Sequence, residues 1–306
     1  MRVVLTGATG TIGLAVARAL HDRGDEVVAL SRDQERGQDL LGRGVEVHAW
    51  AQPTEAPPPE PALSGADAVM HLLGEPVSQR WSAEAKRRIS DSRVLGTRSL
   101  VAGLQSLDEG RRPLTLVSQS ATGFYGPHGS EPVDEHAPAG DDFLAEVVVA
   151  WEHEALAAPA PIRVVLTRTG VVLSPSGGAL AKMLPFFRLG LGGPVAGGKQ
   201  YVPWIHLDDV VGALLRCVDD SEARGPVNVT APVPVTNAEL SSALGRALGR
   251  PAVLPVPRLA VRALYGEMAQ IVTTGQRVLP QRLAQMGYKF HHSEIEAALR
   301  DVLGGA

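Results

Sequence analysis

The chain has 306 residues, of which 44% are hydrophobic and 20% charged, and its formal net charge is −4. This size and composition predict a folded protein with a substantial core and exclude bulk disorder. The acidic balance gives no electrostatic support for nucleic acid or an anionic membrane as a partner.

The chain offers no targeting or redox signal. The N-terminus begins a strand directly, and no apolar run approaches the roughly twenty residues that a membrane span needs, so we expect a cytoplasmic protein. The single cysteine, Cys217, lies in an apolar helical stretch. We interpret it as a core residue, with a nucleophile as the alternative.

The first predicted unit is a strand at 1–5, a glycine-rich turn and an amphipathic helix from Leu14 to about Arg23. Glycines permit a tight turn, close approach of backbone amides to a pyrophosphate, and close packing of the helix on the strand. A second strand is predicted at 26–30. The pattern indicates a dinucleotide-binding turn, with an ordinary strand-to-helix turn as the alternative. The residues expected to bind the cofactor here are Gly7, Thr9, Gly10, Thr11, Ile12 and Gly13.

The end of the second strand bears on the choice of cofactor. Many NAD-specific proteins have an acid at this point, whereas this strand ends in Ser31 and Arg32. A guanidinium can bind a 2′-phosphate through two hydrogen bonds, and the serine hydroxyl can add a donor. We therefore predict NADP(H). Asp33 could serve a ribose instead, and Arg32 could be a solvated loop charge.

Further strands are predicted at 45–50, 68–72, 114–118 and 163–167, with helices at 82–107 and 146–157. The proline-rich stretch 51–61 is predicted to be an irregular connection. Ser82 is a good cap for the helix that follows it. Strands that alternate with helices at this spacing predict an α/β fold with a Rossmann-type, doubly wound parallel sheet.

The fourth predicted strand ends at Leu72, Leu73 and Gly74, where such folds pass beneath the adenosine and pyrophosphate. These three residues and Glu75 are predicted cofactor contacts, although Glu75 could equally act as a base or be structural. Arg93, on the following helix, is a candidate partner for the pyrophosphate. A surface ion pair explains Arg93 equally well.

The regular alternation of predicted strands and helices ends after Leu173. A loop, a short helix at 179–187 and a glycine-rich stretch lead to an extended segment at 204–207 and a helix capped by Asp208 or Asp209. From about Thr236 the pattern is mostly helical. We predict a cofactor-binding core at 1–173 to which 207–230 returns. A smaller, mostly helical substrate lobe is predicted at 174–206 and 231–306.

Several motifs resemble the extended short-chain dehydrogenase/reductase superfamily. They are the segments 6–13, 67–74, 118–126 and 204–210. More narrowly, the chain resembles an atypical branch of NAD-dependent epimerase/dehydratase-like proteins, usually labelled epimerase-family proteins. This likeness rests on the segments 74–76, 80–81, 168–173 and 184–194, and residues 251–303 resemble the branch's C-terminal domain of unknown function.

The resemblance implies a serine and a Tyr-x-x-x-Lys pair, in which the tyrosine is the acid/base and the lysine lowers its pKa. Ser118 or Ser120 fills the serine position, but the expected segment 143–149 has neither tyrosine nor lysine. We take Ser120 and Tyr125 as candidate catalytic residues and Ser118 as a cofactor contact. Packing is the alternative role for Tyr125.

Other residues could line the site. The resemblance places Thr169, Gly170 and Val171 at the end of the sixth strand, where their backbone would flank the nicotinamide. Lys182 and Arg188 could contact an anionic substrate or be solvated. His206 is expected to join the two lobes by hydrogen bonds rather than transfer a proton. Two tryptophans are candidate pocket walls, although core packing explains them equally well: Trp81 and Trp204.

Two functions follow from these patterns. The first is an NADP(H)-dependent oxidoreductase or epimerase that acts on a small molecule bearing a carbonyl or hydroxyl group. The second is a protein that binds NADP(H) without turnover, as a redox sensor or regulatory partner. Because superfamily members often dimerise through a helix pair, the helix at 82–107 could form a homodimer.

Overall fold

The computed structural model describes residues 1–304. Its strands are β1 (Arg2–Thr6), β2 (Glu26–Ser31), β3 (Val45–Ala49), β4 (Ala68–His71), β5 (Thr115–Ala121), β6 (Pro132–Val133), β7 (Arg163–Thr169), β8 (Val171–Leu173), β9 (Tyr201–Val202), β10 (Trp204–His206), β11 (Gly225–Val229), β12 (Val235–Thr236) and β13 (Arg277–Val278).

The helices alternate with the strands of the core and then dominate the C-terminal part. They are α1 (Thr11–Asp22), α2 (Gln34–Leu41), α3 (Glu60–Leu63), α4 (Ala83–Ser106), α5 (Phe143–Leu156), α6 (Gly178–Arg188), α7 (Leu207–Asp219), α8 (Asn237–Ala247), α9 (Arg258–Tyr265), α10 (Ala269–Thr273), α11 (Gln281–Gln285) and α12 (Ile295–Val302). A 3-10 turn at Thr122–Tyr125 follows β5 directly, and others lie at Glu109–Arg111 and Gly266–Met268.

Seven strands form one parallel sheet in the order β11-β7-β5-β4-β1-β2-β3. One face packs its apolar residues against α1 and α7, and the other against α3 and α4. The prediction of a Rossmann-type, doubly wound α/β fold is therefore confirmed. The reversal of strand order between β1 and β4 is where such folds open a crevice for ligands.

Strand β11 had no strand signal in the sequence. Gly225, Pro226 and Asn228 are poor strand formers, and the strand stands at the edge of the sheet, where proline is tolerated. Its pairing with β7 is thus decided by tertiary contacts. Ser82 caps α4 as predicted, with its Oγ accepting the amide of Ala85 at 3.1 Å.

The prediction that Asp208 or Asp209 caps α7 is wrong. His206 is the cap, because its Nδ1 accepts the amide of Asp208 at 3.1 Å. Asp209 is fully buried and accepts the Tyr288 hydroxyl at 3.0 Å and the amides of His291 and His292 at 2.8 and 2.9 Å. This carboxylate therefore fixes the C-terminal segment to the core.

The smaller lobe has its own apolar cluster, built from α6, α8, α12 and the strands β8, β10 and β12. Not all of 231–306 belongs to it, contrary to the predicted boundary. Leu283, Met286, Tyr288 and Phe290 pack into the core beside the large sheet. The C-terminal segment thus crosses from the small lobe back to the core. No helix within the described residues is long and apolar enough to span a membrane.

Candidate functional site

The glycine turn holds two backbone segments in direct contact. Gly7 has φ +64°, and a Cβ placed on it would lie 2.6 Å from the carbonyl oxygen of Leu72. A Cβ on Gly13 would lie 2.2 Å from the carbonyl oxygen of Gly7. No other residue type fits these two positions, because both contacts are with backbone. The turn is therefore shaped as the glycine pattern predicted.

The N-terminus of α1 is open. Gly10 is its cap and offers no side chain, and the amides of Thr11, Ile12 and Gly13 have no backbone acceptor among residues 1–304. Thr9 and Gly10 are exposed. Free amides at a helix N-terminus, together with the helix dipole, favour an anion such as a pyrophosphate.

A loop from the smaller lobe borders the same turn. A Cβ on Gly177 would lie 2.4 Å from Thr11 Oγ1, so the backbone at the start of α6 is in close contact with the start of α1. The residues before it, 174–176, follow β8 directly. The sequence predicts only a loop here. In the structure this loop borders the helix N-terminus that is expected to bind the cofactor.

The end of β2 presents an unpaired cation. Arg32 is exposed and forms no ion pair with any described residue, while Ser31 Oγ donates to the carbonyl of Asp33 at 2.7 Å. Asp33 caps α2, accepting the amide of Arg36 at 3.0 Å. Because a guanidinium attracts a phosphate and a carboxylate repels one, Arg32 is the residue of this pair that could bind a cofactor phosphate.

Arg93 packs against the turn that follows β4. Its Nη1 donates to the carbonyls of Glu75 and Ile89 at 2.9 and 3.1 Å, and its Cζ lies 5.2 Å from the Trp151 ring centroid. A Cβ on Gly74 would lie 3.1 Å from the guanidinium. Burial lowers the pKa of Arg93 to about 10. Arg93 has no carboxylate partner within the described residues, so the surface ion pair proposed as its alternative role is wrong.

Ser118, Ser120 and Tyr125 do not lie in an open cleft. Ser118 has no exposed surface in β5, which contradicts its predicted contact with the cofactor. Ser120 and Tyr125 are each 1% exposed. The Ser120 hydroxyl donates to Glu152 Oε1 at 2.6 Å, and the Tyr125 hydroxyl donates to Asn228 Oδ1 at 2.6 Å.

These hydroxyls belong to a buried ion-pair network. Arg168 binds Glu152 through two hydrogen bonds of 2.8 Å and donates to the Tyr125 hydroxyl at 3.2 Å. Desolvation raises the pKa of Tyr125 to about 12, the opposite of what an acid/base tyrosine needs. The predicted catalytic roles of Ser120 and Tyr125 are corrected accordingly: both side chains are structural here, and packing, the alternative given for Tyr125, describes its contacts.

The first turns of α5 stand where the resemblance puts the Tyr-x-x-x-Lys pair. Leu144 and Val148, four residues apart, face the turn after β5, since a Cβ on Gly123 would lie 3.4 Å from Leu144 Cβ and 3.9 Å from Val148 Cγ2. Phe143 packs edge-on against Trp81 with ring centroids 5.1 Å apart. Apolar groups therefore occupy the region from which a proton would normally be supplied.

The amides of Gly170 and Val171 are already bonded. They donate to the carbonyls of Val229 and Pro203 at 3.1 and 2.6 Å. Thr169 is 5% exposed, and its Oγ1 donates to the carbonyl of Thr167 at 3.2 Å. With these amides engaged, only carbonyl groups and the half-buried Val171 side chain could border a ligand, and the flanking of the nicotinamide by this backbone stays a prediction.

Of the remaining candidates, Lys182 and Arg188 are exposed in the small lobe, and Trp204 is buried. Lys182 donates to the carbonyl of Ser78, so the small lobe is tied to the turn after β4. Trp204 is 1% exposed and donates to the carbonyl of Val233 at 3.1 Å, which makes it a core residue and not a pocket wall.

His206 contacts the C-terminal segment by ring stacking, and its buried Nε2 has no hydrogen-bond partner among the described residues, so the predicted hydrogen bonds from this ring to the other lobe are not found. The ring stacks on His292 with ring centroids 3.7 Å apart, and its Nε2 lies 3.2 Å from Asp301 Oδ2. The four groups His206, Asp208, His292 and Asp301 have ligand atoms within 4.8 Å of one another. They suit a metal poorly, because a ligating histidine donates its other ring N–H, whereas His206 Nδ1 accepts the amide of Asp208.

Sequence reasoning missed Arg277, which lies beside the carboxyl edge of the sheet. The neighbouring Gln276 donates to the carbonyl of Gly126 at 2.7 Å, and β13 pairs with β6. Arg277 Cζ lies 5.4 Å from the Tyr201 ring centroid, its Nε is buried without a partner, and it forms no ion pair with a described residue. Only the pairing of β13 with β6, which the sequence did not predict, reveals this cation.

An open helix N-terminus, a glycine turn and an unpaired arginine after β2 define a dinucleotide-binding protein of the Rossmann class. The model of the NAD dependent epimerase/dehydratase family matches residues 3–230, and that of a domain of unknown function, DUF1731, matches residues 256–302. The chain belongs to the NAD dependent epimerase/dehydratase family.

Individual relatives match along almost the whole chain. The chloroplastic SDR39U1 homologue of Arabidopsis thaliana is 38% identical over 304 residues, covering 99% of this chain and 87% of the relative. Epimerase family protein MT2273 of Mycobacterium tuberculosis is 41% identical, covering 97% and 96%. The crystal structure of human SDR39U1 with NADPH superposes with a TM-score of 0.87 at 34% identity and covers 100% of both chains.

Proposed function

We propose that this chain is an NADP(H)-dependent oxidoreductase or epimerase that acts on an anionic small molecule bearing a carbonyl or hydroxyl group. The observation that carries the proposal is the pairing of the open α1 N-terminus with the unpaired Arg32 at the end of β2. The first fits a pyrophosphate and the second a 2′-phosphate. The presence of NADPH in the human relative supports the same cofactor.

The bound nicotinamide would supply hydride transfer, and the protein's part is to hold it and the substrate. The amides of Thr11, Ile12 and Gly13 would bind the pyrophosphate, and Arg32 the 2′-phosphate, since the Ser31 hydroxyl already donates to the carbonyl of Asp33. The residues of 72–75 would border the adenosine. Since Leu144 and Val148 supply no proton, the proton would come from water or from the substrate itself.

Arg277 supports an anionic substrate. A partly buried guanidinium without a carboxylate partner is costly unless an anion binds to it. Tyr201 lies against this guanidinium and orients it. Lys182, held by the carbonyl of Ser78, adds a second cation in the small lobe.

The first experiment is a fluorescence titration of the purified protein with NADPH and NADH, followed by cofactor oxidation against a panel of carbonyl compounds. The panel pairs carboxylated or phosphorylated compounds with neutral analogues. We expect tight NADPH binding and turnover of an anionic member. Arg277→Gln is expected to remove the preference for the anionic member of a pair and leave NADPH affinity unchanged. If neither cofactor binds, the proposal is wrong.

The apolar pair Leu144 and Val148 favours a second candidate, a protein that binds NADP(H) without turnover as a redox sensor or regulatory partner. This candidate predicts tight binding with no oxidation across the panel. It also predicts different affinities for NADPH and NADP⁺, because a sensor must distinguish the two states. The cytoplasm remains the expected location under either candidate.

A further inference from the structure

Two segments of this acidic protein carry no acidic residue. Between Glu154 and Asp208 the chain has no aspartate or glutamate, and the same is true between Glu239 and Glu267. Both segments contain exposed arginines, including Arg188 in the first and Arg258 in the second. The net charge of −4 therefore conceals a local excess of positive charge.

The fold brings these two segments side by side. The amide of Leu254 donates to the carbonyl of Gly192 at 3.3 Å, and the amide of Val256 donates to that of Pro194 at 2.9 Å. A Cβ on Gly190 would lie 3.6 Å from Pro251 Cγ. The end of α6 and the start of α9 thus flank one continuous surface.

This surface exposes large apolar side chains. Leu189, Val253 and Leu259 are 74%, 76% and 77% exposed, and Phe186, Leu191 and Leu254 are also exposed. Side chains that are three-quarters exposed stand out from the protein and do not line a groove. A concentration of exposed apolar side chains such as this one marks a surface that binds a membrane or another protein.

Helix α9 is orientated with its apolar side outward. Of its residues only Val261 is buried, while Leu259 and Leu264 are 77% and 66% exposed. Arg258 and Arg262 lie one turn apart on the same helix, and both are exposed without an ion pair to any described residue. Protruding apolar groups bordered by arginines are the pattern of helices that lie in a membrane interface.

We propose that this basic apolar surface, formed by 186–194, 250–257 and α9, docks the protein on an anionic lipid bilayer. Its arginines are Arg188, Arg250, Arg258 and Arg262, and none of them pairs with an acid in residues 1–304. An anionic bilayer fits this surface because it offers acyl chains to the protruding apolar groups and anionic headgroups to the unpaired arginines that border them. The charge distribution thus overrides the expectation, based on net charge, that no membrane is a partner.

The test is flotation of the full-length protein with vesicles of pure phosphatidylcholine and of phosphatidylcholine with an equal part of phosphatidylglycerol. We expect binding to the mixed vesicles only. Arg258→Glu with Arg262→Glu is expected to weaken it about 25-fold or more, since each basic residue near an anionic surface contributes about a factor of five. Leu259→Ser is expected to weaken it about tenfold.

Matched controls change the same residue types elsewhere. Arg43→Glu and Leu114→Ser, both at exposed positions outside the surface, are expected to leave vesicle binding unchanged. All variants are expected to keep the thermal midpoint of the parent. The proposal is overturned if the parent does not float with mixed vesicles, if neutral vesicles bind it equally, or if controls and surface variants behave alike. It is also overturned if the surface variants convert a dimer to a monomer without changing flotation, which would assign this face to a second copy.

Discussion

Ser120 Oγ lies 2.6 Å from Glu152 Oε1, and both residues are buried beneath the sheet edge where the nicotinamide is expected. The serine that the resemblance assigns to catalysis therefore donates a hydrogen bond to a buried ion pair. Glu152 accepts hydrogen bonds from the Ser120 hydroxyl and from Nε and Nη2 of Arg168. Three elements, β5, α5 and β7, are joined at this carboxylate.

Ser120→Ala is expected to lower the free energy of unfolding by about 1.5–3 kcal/mol, the usual loss for a hydrogen bond to a charged group. NADPH affinity is expected to stay unchanged, because the hydroxyl faces Glu152. Urea unfolding and a fluorescence titration measure the two quantities. Full stability with lost turnover would instead restore a catalytic role for Ser120.

Arg168→Met is expected to destabilise the protein by about 3–5 kcal/mol, because it leaves the Glu152 carboxylate buried without its partner. Arg98→Met provides a control, because the partner of Arg98, Glu154, lies on the same helix α5 as Glu152. Arg98 pairs with Glu154, but its side chain is 59% exposed, so the expected loss of stability is much smaller than that for Arg168→Met. Equal losses in urea unfolding would contradict the assignment.

Tyr125→Phe is expected to leave the shape of the pH–rate profile unchanged between about pH 6 and 9, because burial raises the pKa of Tyr125 to about 12. The variant should still lose about 1–3 kcal/mol of stability, since Asn228 Oδ1 loses its donor. Loss of one limb of the profile in the variant would show that the tyrosine titrates during turnover.

Arg32→Asp is expected to weaken NADPH about tenfold to a hundredfold, because a charge-assisted contact to the 2′-phosphate is replaced by repulsion. NADH lacks that phosphate and should bind as before. Arg43→Asp, an exposed arginine without an ion pair to any described residue, serves as the control. Equal losses for NADPH and NADH would rule out the 2′-phosphate assignment.

His71 should make the protein acid-sensitive. It is fully buried between Thr6 Oγ1 at 2.7 Å and Thr97 Oγ1 at 2.9 Å, and desolvation lowers its pKa to about 3. The unfolded chain takes up this proton near pH 6.5 and the folded chain does not. Stability is therefore fully present above about pH 6.5 and falls toward about pH 3, by up to about 1.4 kcal/mol per pH unit.

Urea unfolding of the parent and of His71→Gln across this range measures that contribution. The variant is expected to be less stable at neutral pH but to lose less on acidification. His136→Gln is the control, because its side chain is 83% exposed. An identical pH dependence in the parent and in His71→Gln would show that the buried imidazole is not the group responsible.

The strands and helices in the first half of the fold, and the glycine turn, were predictable from residues that lie close together in the chain. Gly7 and Gly13 are required by contacts within the strand, turn and helix and with the adjoining strand end, and regular apolar periodicity marked the central strands. Local geometry of this kind depends on residues close in sequence or on a fixed register. Ser82 as a helix cap was predictable for the same reason.

Which polar residues are accessible could not be predicted, because it depends on contacts between segments that are far apart in the chain. Ser120 and Tyr125 look reactive in sequence, but Glu152, Arg168 and Asn228, distant along the chain, enclose their hydroxyls. The structure also identifies Arg277 as an unpaired cation. The basic apolar surface is formed by two segments without acidic residues, which backbone hydrogen bonds hold side by side. Burial and pairing depend on contacts between remote segments, and these contacts decide whether a charge or hydroxyl is structural or free to bind.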